Sequence, residues 1–284
     1  MTQTQHFDDS PADPGGPSDP QAHSVDPQEV SKFAKMAEAW WDPTGDFRPL
    51  HRLNPVRVGF IRDQVLEHFE RPVTPDCLGG LSVLDIGCGG GLVCEPLRRL
   101  GAQVTGIDAT HRNISIAQAH AQQSDLDISY RAVTSETLME EGQRFDVVLA
   151  LEVIEHVNDP QDFVTHWEKL LNPGGLVIAS TINKSLAGFA LGVVGAEYVM
   201  RWLPVGTHDW RKFVTPTTMQ RWLDKAGLRM KTLKGMSYHM LSDTFSISAN
   251  TSVNYICSAT RALEAPPTKP EFEVWPGNSA DGFM

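Results

Sequence analysis

Apolar and polar positions divide the chain into three regions. Residues 1–27 hold few apolar side chains and many Asp, Pro, Gly, Ser and Gln. They lack the surface to build a core and are read as a disordered acidic tail. Residues 28–262 carry the periodic segments. Residues 263–284 return to the first composition and are read as a second flexible acidic tail, with Phe272, Trp275 and Phe283 available to dock. From 28 to about 69 the pattern is helical, broken around Pro43, Gly45 and Pro49. Strands and helices then alternate. Strands are predicted over 82–88, 103–108, 128–132, 145–151 and 176–182. Helices are predicted over 92–100, 112–123, 162–171 and 217–226, the third stopped by Asn172-Pro173-Gly174-Gly175 and the last by Gly227. Segment 145–151 is apolar except for Asp146, as in a strand buried on both faces. Two further β-prone stretches, 228–234 and 253–260, can close the sheet. This order predicts one α/β domain with a mostly parallel sheet and helices on both faces.

An insertion, 184–214, interrupts the alternation. Its first part, 185–196, is uncharged and mostly apolar, and Arg201 and Trp202 follow. It is too short and Gly-rich to span a bilayer. Two readings stand: an interfacial membrane segment over 185–204, or a lid that packs over the site or on a second subunit. Charge favours the first. The insertion holds Lys184, Arg201, Arg211 and Lys212 against Glu197 and Asp209, so it is basic within a chain of net charge −11 and suited to anionic lipid. Most of the negative charge lies in the tails: residues 1–30 hold six acids and no Lys or Arg. The near-neutral middle argues against a nucleic-acid partner. Cys77, Cys88, Cys94 and Cys257 show no zinc spacing and are read as reduced thiols. With no basic-then-apolar leader pattern, a cytoplasmic location is expected.

The chemistry begins at Val83-Leu84-Asp85-Ile86-Gly87-Cys88-Gly89-Gly90-Gly91. A buried strand runs into glycines that open a helix, and missing side chains let the backbone turn sharply against a ligand. About 20 residues on, the second strand ends in Asp108, whose carboxylate can accept hydrogen bonds from two ribose hydroxyls. A dinucleotide loop needs a further glycine where Leu92 stands. Asp85 would repel a pyrophosphate but suits a cationic sulfonium or ammonium. The loop is therefore read as a site for S-adenosylmethionine, with Gly87 and Gly89 against the cofactor.

Next, Leu151-Glu152-Val153-Ile154-Glu155-His156 ends the strand 145–151. Leu151 is placed beside the adenosine. Methyl transfer from a sulfonium needs an in-line, deprotonated nucleophile. Three readings of the acids stay open. His156 can be a general base. Glu152, Glu155 and His156 can hold Mg²⁺ or another divalent ion. Or the segment is a helix start whose acids suit the macrodipole. Trp40, Trp41 and Phe47 are core or lid aromatics or ring-stacking partners; His208 and Asp209 are a second acid–base pair or a loop hydrogen bond.

Class I methyltransferases share the segments around Gly87–Gly91, Asp108 and 145–156. Two more segments, Trp40 to Arg57 and Val193 to Phe213 (with Gly206-Thr207-His208-Asp209-Trp210), resemble the ubiquinone-biosynthesis O-methyltransferases. The likeness covers about 31–260. It implies a Rossmann-like, seven-stranded sheet with an antiparallel last strand. It implies S-adenosylmethionine contacts at Arg57, Gly87, Asp108 and Leu151, with Arg57 on the methionine carboxylate. It implies catalytic roles for Glu152, Glu155 and His156, and a divalent ion at those residues in some members. The implied substrates are 2-polyprenyl-6-hydroxyphenol and 3-demethylubiquinol, methylated on a phenolic oxygen. The implied partners are the inner face of the membrane and other enzymes of the same pathway. Phe60, where an aromatic hydroxyl is common, and the long tails depart from the family pattern. Two rival readings are a methyltransferase for another small hydrophobic acceptor and a non-catalytic cofactor-binding scaffold.

Overall fold

The computed structural model describes residues 26, 39–45, 47–185 and 212–261. The tails, apart from Asp26, and most of the insertion lie outside them. So do the membrane and lid readings of 186–211, and His208 with Asp209.

Helix α1 (Arg48–His68) precedes an eight-stranded sheet. Strands β1 (Ser82–Ile86), β2 (Gln103–Ile107), β3 (Ser129–Arg131), β4 (Phe145–Leu151) and β5 (Leu171–Ile182) pair in parallel, in the order β3-β2-β1-β4-β5. Strands β6 (Leu228–His239), β7 (Thr244–Ser248) and β8 (Asn254–Arg261) add antiparallel, with β8 against β5 and then β6 and β7 at the edge. Connecting helices are α2 (Cys94–Arg99), α3 (His111–Gln123), α4 (Ser135–Glu140), α5 (Pro160–Lys169) and α6 (Pro216–Lys225).

Alternation along each strand feeds two cores. Val83, Val147, Leu149 and Leu151 join Leu53, Ile61, Leu97 and Ala117 on the face of α1, α2 and α3. Leu84, Val148 and Ala150 join Leu138, Trp167 and Leu223 on the face of α4, α5 and α6. Both faces of the central strands are thus buried, as their apolar runs require. Strand order reverses between β1 and β4, and the crevice outside their carboxyl ends is where ligands bind in open sheets of this kind.

The sheet has one strand more than the seven expected. Strand β6 runs on to His239 and returns through β7, a five-residue edge strand with three hydroxyl side chains and only Phe245 and Ile247 to mark it. Pro49 does not break the helix; it sits in the first turn of α1, where its missing N–H has no helical partner to lose. Asn172-Pro173-Gly174-Gly175 lies within β5, as an irregularity between Phe145↔Leu171 and Val147↔Leu176.

Asp146, the one acid in β4, bonds at the opposite end of the strands. It accepts from Ser82 N at 2.9 Å, Ser82 Oγ at 2.8 Å and Asn172 Nδ2 at 2.9 Å. Partial burial pushes its carboxyl up, but the Ser82 and Asn172 donors outweigh this and hold it below the ordinary range. A depressed pKa means the folded state favours the ionised form. Its contribution is therefore present above the ordinary carboxylate range and lost as pH falls through and below it. Asp146→Ala is expected to cost about 1–2 kcal/mol at neutral pH. The deficit against wild type should shrink towards pH 3; denaturant melts across that range check it.

Candidate active site

The glycine loop is hooked to the end of β2. Gly87 N and Cys88 N both donate to the Ile107 carbonyl, at 2.8 and 2.9 Å. Gly87, Gly89 and Gly91 have φ of 73°, 53° and 87°, the left-handed region that glycine enters without a Cβ penalty. Asp108, the next residue along from Ile107, is partly buried. Its Oδ2 accepts from Gly89 N at 3.1 Å and its Oδ1 from Thr110 N at 2.7 Å. Burial raises its pKa against the donors Thr110, Asn113 and Gly89. The loop and the acid predicted to work together are therefore in direct contact.

Below the loop two opposite charges are buried. Asp85, on β1, has its pKa pushed up to about 6 by burial, opposed by the Cys94 thiol, which donates to Oδ2 at 3.3 Å, and by Arg57. Arg57, on α1, is pulled down by burial and held up by Glu152 and Asp85. One of its terminal nitrogens donates to Asn54 Oδ1 at 3.2 Å, and Asn54 itself is tied to the Leu92 carbonyl at 2.7 Å. Arg57 Nε is buried without a partner among the described residues. A buried guanidinium with an unused donor, facing a buried carboxylate, fits a zwitterion: carboxylate to Arg57, ammonium or sulfonium to Asp85. The methionine end of S-adenosylmethionine carries those groups, and the loop and Asp108 suit its adenosine.

At the end of β4, Leu151 is buried and Glu152 takes φ +53°. Glu152 N donates to the Ser180 carbonyl at 3.0 Å and its Oε1 accepts from Ser180 Oγ at 2.7 Å. A single 3-10 turn, Ile154–His156, follows. Glu155 is buried, accepts from Thr181 Oγ1 at 2.8 Å through Oε2, and leaves Oε1 without a partner among the described residues. Burial and then the Glu152 charge hold its pKa well above the carboxylate range, so Glu155 resists ionising. His156 is only half-buried.

The expected metal set does not assemble. Among the described residues no three or more His, Cys, Asp or Glu side chains are grouped to hold a metal ion. Adjacent residues of a 3-10 turn point about 120° apart, so Glu155 turns inward while His156 leaves by another direction. Sequence reasoning also missed Asn54, Ser180 and Thr181. The two hydroxyls ending the otherwise apolar run Leu176–Ile182 were the available sign. Nearby, a cavity of about 440 Å³ is lined by residues including Val157, Pro160, Lys184, Lys212, Phe213 and Trp222, between the turn and both ends of the insertion. Lys212 also pairs with Asp26 at 3.2 Å. No helix among the described residues is long and apolar enough to cross a membrane.

Comparison with known proteins bears on this site. A family model described as a methyltransferase domain matches residues 50–233. The ubiquinone biosynthesis O-methyltransferase of Cereibacter sphaeroides is 51% identical over 240 residues, 84% of this chain and 97% of that protein. The protein of the same name from Parvibaculum lavamentivorans is 49% identical over 244 residues, 85% and 96% of the two chains. Among solved structures, magnesium protoporphyrin IX methyltransferase from Synechocystis with bound SAH superposes with a TM-score of 0.58 at 20% identity, over 82% of this chain and 95% of that one. A SAM-dependent methyltransferase from Thermotoga maritima gives 0.56 at 16%, over 83% and 99%. Those two distant likenesses establish the Rossmann-like class I fold alone. The near relatives, matched along almost their whole length, establish that the chain belongs to the ubiquinone biosynthesis O-methyltransferase family.

Proposed function

We propose that the protein methylates a phenolic oxygen of two membrane-borne substrates, 2-polyprenyl-6-hydroxyphenol and 3-demethylubiquinol, with S-adenosylmethionine as donor. The observation that carries the reading is the buried Arg57 and Asp85 pair beneath the glycine loop, which matches a zwitterionic cofactor end. The names of the near relatives support the acceptor class. Bound S-adenosylmethionine supplies an electrophilic methyl group. Arg57 and Asp85 orient its amino-acid end, Gly87 and Gly89 let the backbone approach, Asp108 holds the ribose, and Leu151 lies against the adenosine. His156 takes the phenolic proton. Glu155, kept protonated, and Glu152 fix the turn that presents His156.

A second reading is favoured by the unpartnered Glu155 Oε1. Glu152 and Glu155 would hold a divalent ion such as Mg²⁺, which binds through one or two carboxylates with water and substrate oxygens and would lower the catechol pKa. The acceptor is drawn from the membrane's inner face, with residues 185–204 as the membrane-contacting segment, and other enzymes of the pathway hand it on.

Product analysis with a polyprenyl catechol, labelled donor and lipid vesicles tests this. Label is expected on a phenolic oxygen, with faster turnover on vesicles than in detergent-free buffer. Label on carbon, nitrogen or a carboxylate instead would sink the reading. Turnover that survives chelation assigns activation to His156; turnover lost on chelation and restored by magnesium assigns it to the carboxyl pair.

A further inference from the structure

The tandem tryptophans stand apart from both cores. Trp40 and Phe47 form a cluster of their own with Leu92, their rings stacked at 4.0 Å. Trp40 lies directly on the glycine loop. A Cβ on Gly89 would come within 2.4 Å of its ring, and one on Gly90 within 2.5 Å. Gly90 is not among the glycines with positive φ, so backbone conformation does not require it. What its missing side chain provides is room for Trp40.

The indole N–H of Trp40 donates to Asn113 Oδ1 at 2.9 Å. Asn113 is buried, and its amide lies close enough to the Asp108 carboxylate to favour the ionised acid against the burial that raises its pKa. With Oδ1 occupied by the indole, the Asn113 amide nitrogen is the group that faces Asp108. The order is therefore indole N–H to amide oxygen, then amide N–H to carboxylate. Reversing the amide would break both bonds and set two acceptors together. Trp41 packs against the same cluster. Its Nε1 donates to the Gly90 carbonyl at 2.9 Å, and its ring stacks on His120 at 3.4 Å and 3°. His120 is held by the buried Glu95.

We infer that Trp40 and Asn113 are positioning residues for the cofactor ribose, acting through Asp108. This rests on the cofactor reading above. Trp40 fixes the amide, the amide fixes the carboxylate, and the carboxylate meets the sugar hydroxyls. A cover that only packed would need the ring and not its N–H.

The test is calorimetry on the full chain with S-adenosylhomocysteine and its counterpart lacking both ribose hydroxyls. Wild type is expected to favour the hydroxylated ligand by about tenfold or more, the worth of hydrogen bonds to a charged group. Trp40→Phe keeps a ring and removes the donor; Asn113→Ala removes the relay. Each is expected to weaken the hydroxylated ligand about tenfold and leave the other unchanged, so that the preference collapses. The double variant should be no worse than either single one. Phe47→Leu disturbs the stack but spares the N–H, and the preference should survive it. Equal weakening of both ligands in Trp40→Phe, or a preference that persists there, overturns the inference alone. Wild type that takes up neither ligand overturns the cofactor reading and this inference with it.

Discussion

His156→Ala is expected to lower kcat by about two to four orders of magnitude, with affinity for S-adenosylhomocysteine unchanged within about a factor of two. A phenol ionises near pH 10, so at neutral pH roughly one part in a thousand is the nucleophilic phenolate. The site must make up that deficit. Of the three ionisable groups at the end of β4, Glu155 is buried and held protonated by burial and by Glu152. Glu152 is engaged by Ser180 Oγ and by its own backbone bond to Ser180. His156 is the half-buried one, and imidazole is suited to accept a proton near neutrality.

The pH profile separates lost chemistry from lost structure. With no base, the variant depends on phenolate formed in solution, so its rate should climb about tenfold per pH unit up to the phenol's own range near 10. Wild type should climb less steeply. A variant within tenfold of wild type at pH 7, with a parallel profile, would remove His156 from the reaction. Normal adenosyl affinity is the control for folding, because the cofactor contacts are assigned to Arg57, Asp85, Gly87, Gly89, Asp108 and Leu151 and not to the His156 side chain.

Long apolar runs made the parallel half of the sheet legible. Phe145–Leu151 needs burial on both faces and has it. What failed were short or polar elements. Ser135–Glu140 is a six-residue helix with Leu138 buried as its apolar anchor, below the length at which period can be read. Strand β7 alternates hydroxyls with Phe245 and Ile247 at an edge. In the site, each group tied to a backbone motif was legible: the glycines by their turn, Asp108 by its distance from them. Partners from far along the chain were not. Asn113 meets Trp40 across 73 positions and Ser180 meets Glu152 across 28, and nothing local in the sequence encodes those pairings. For Glu152, Glu155 and His156, spacing named the residues but not the directions in which a 3-10 turn sends them.

Gly87→Val is expected to weaken adenosyl ligand binding by at least about a hundredfold and to destabilise the fold by about 2–4 kcal/mol. Two costs combine. Gly87 has φ +73°, a conformation that costs a residue with a side chain about 1–2 kcal/mol and is worst for a β-branched one. A Cβ there would also stand 2.8 Å from Val153 Cγ2, so Val153 must move. Val153 joins Glu152, itself at φ +53°, to the turn bearing Glu155 and His156, and His156 N donates to its carbonyl at 3.0 Å. The cofactor loop of β1 and the proton-handling turn of β4 are thus in contact through one side chain. Kinetics at saturating donor should reveal this: kcat stays depressed even when binding is driven to completion, whereas a defect confined to the loop would raise KM alone. Gly87→Ala, smaller and unbranched, should fall between wild type and valine in both melting temperature and kcat. A valine variant with full kcat at saturation would show that the two strand ends act independently.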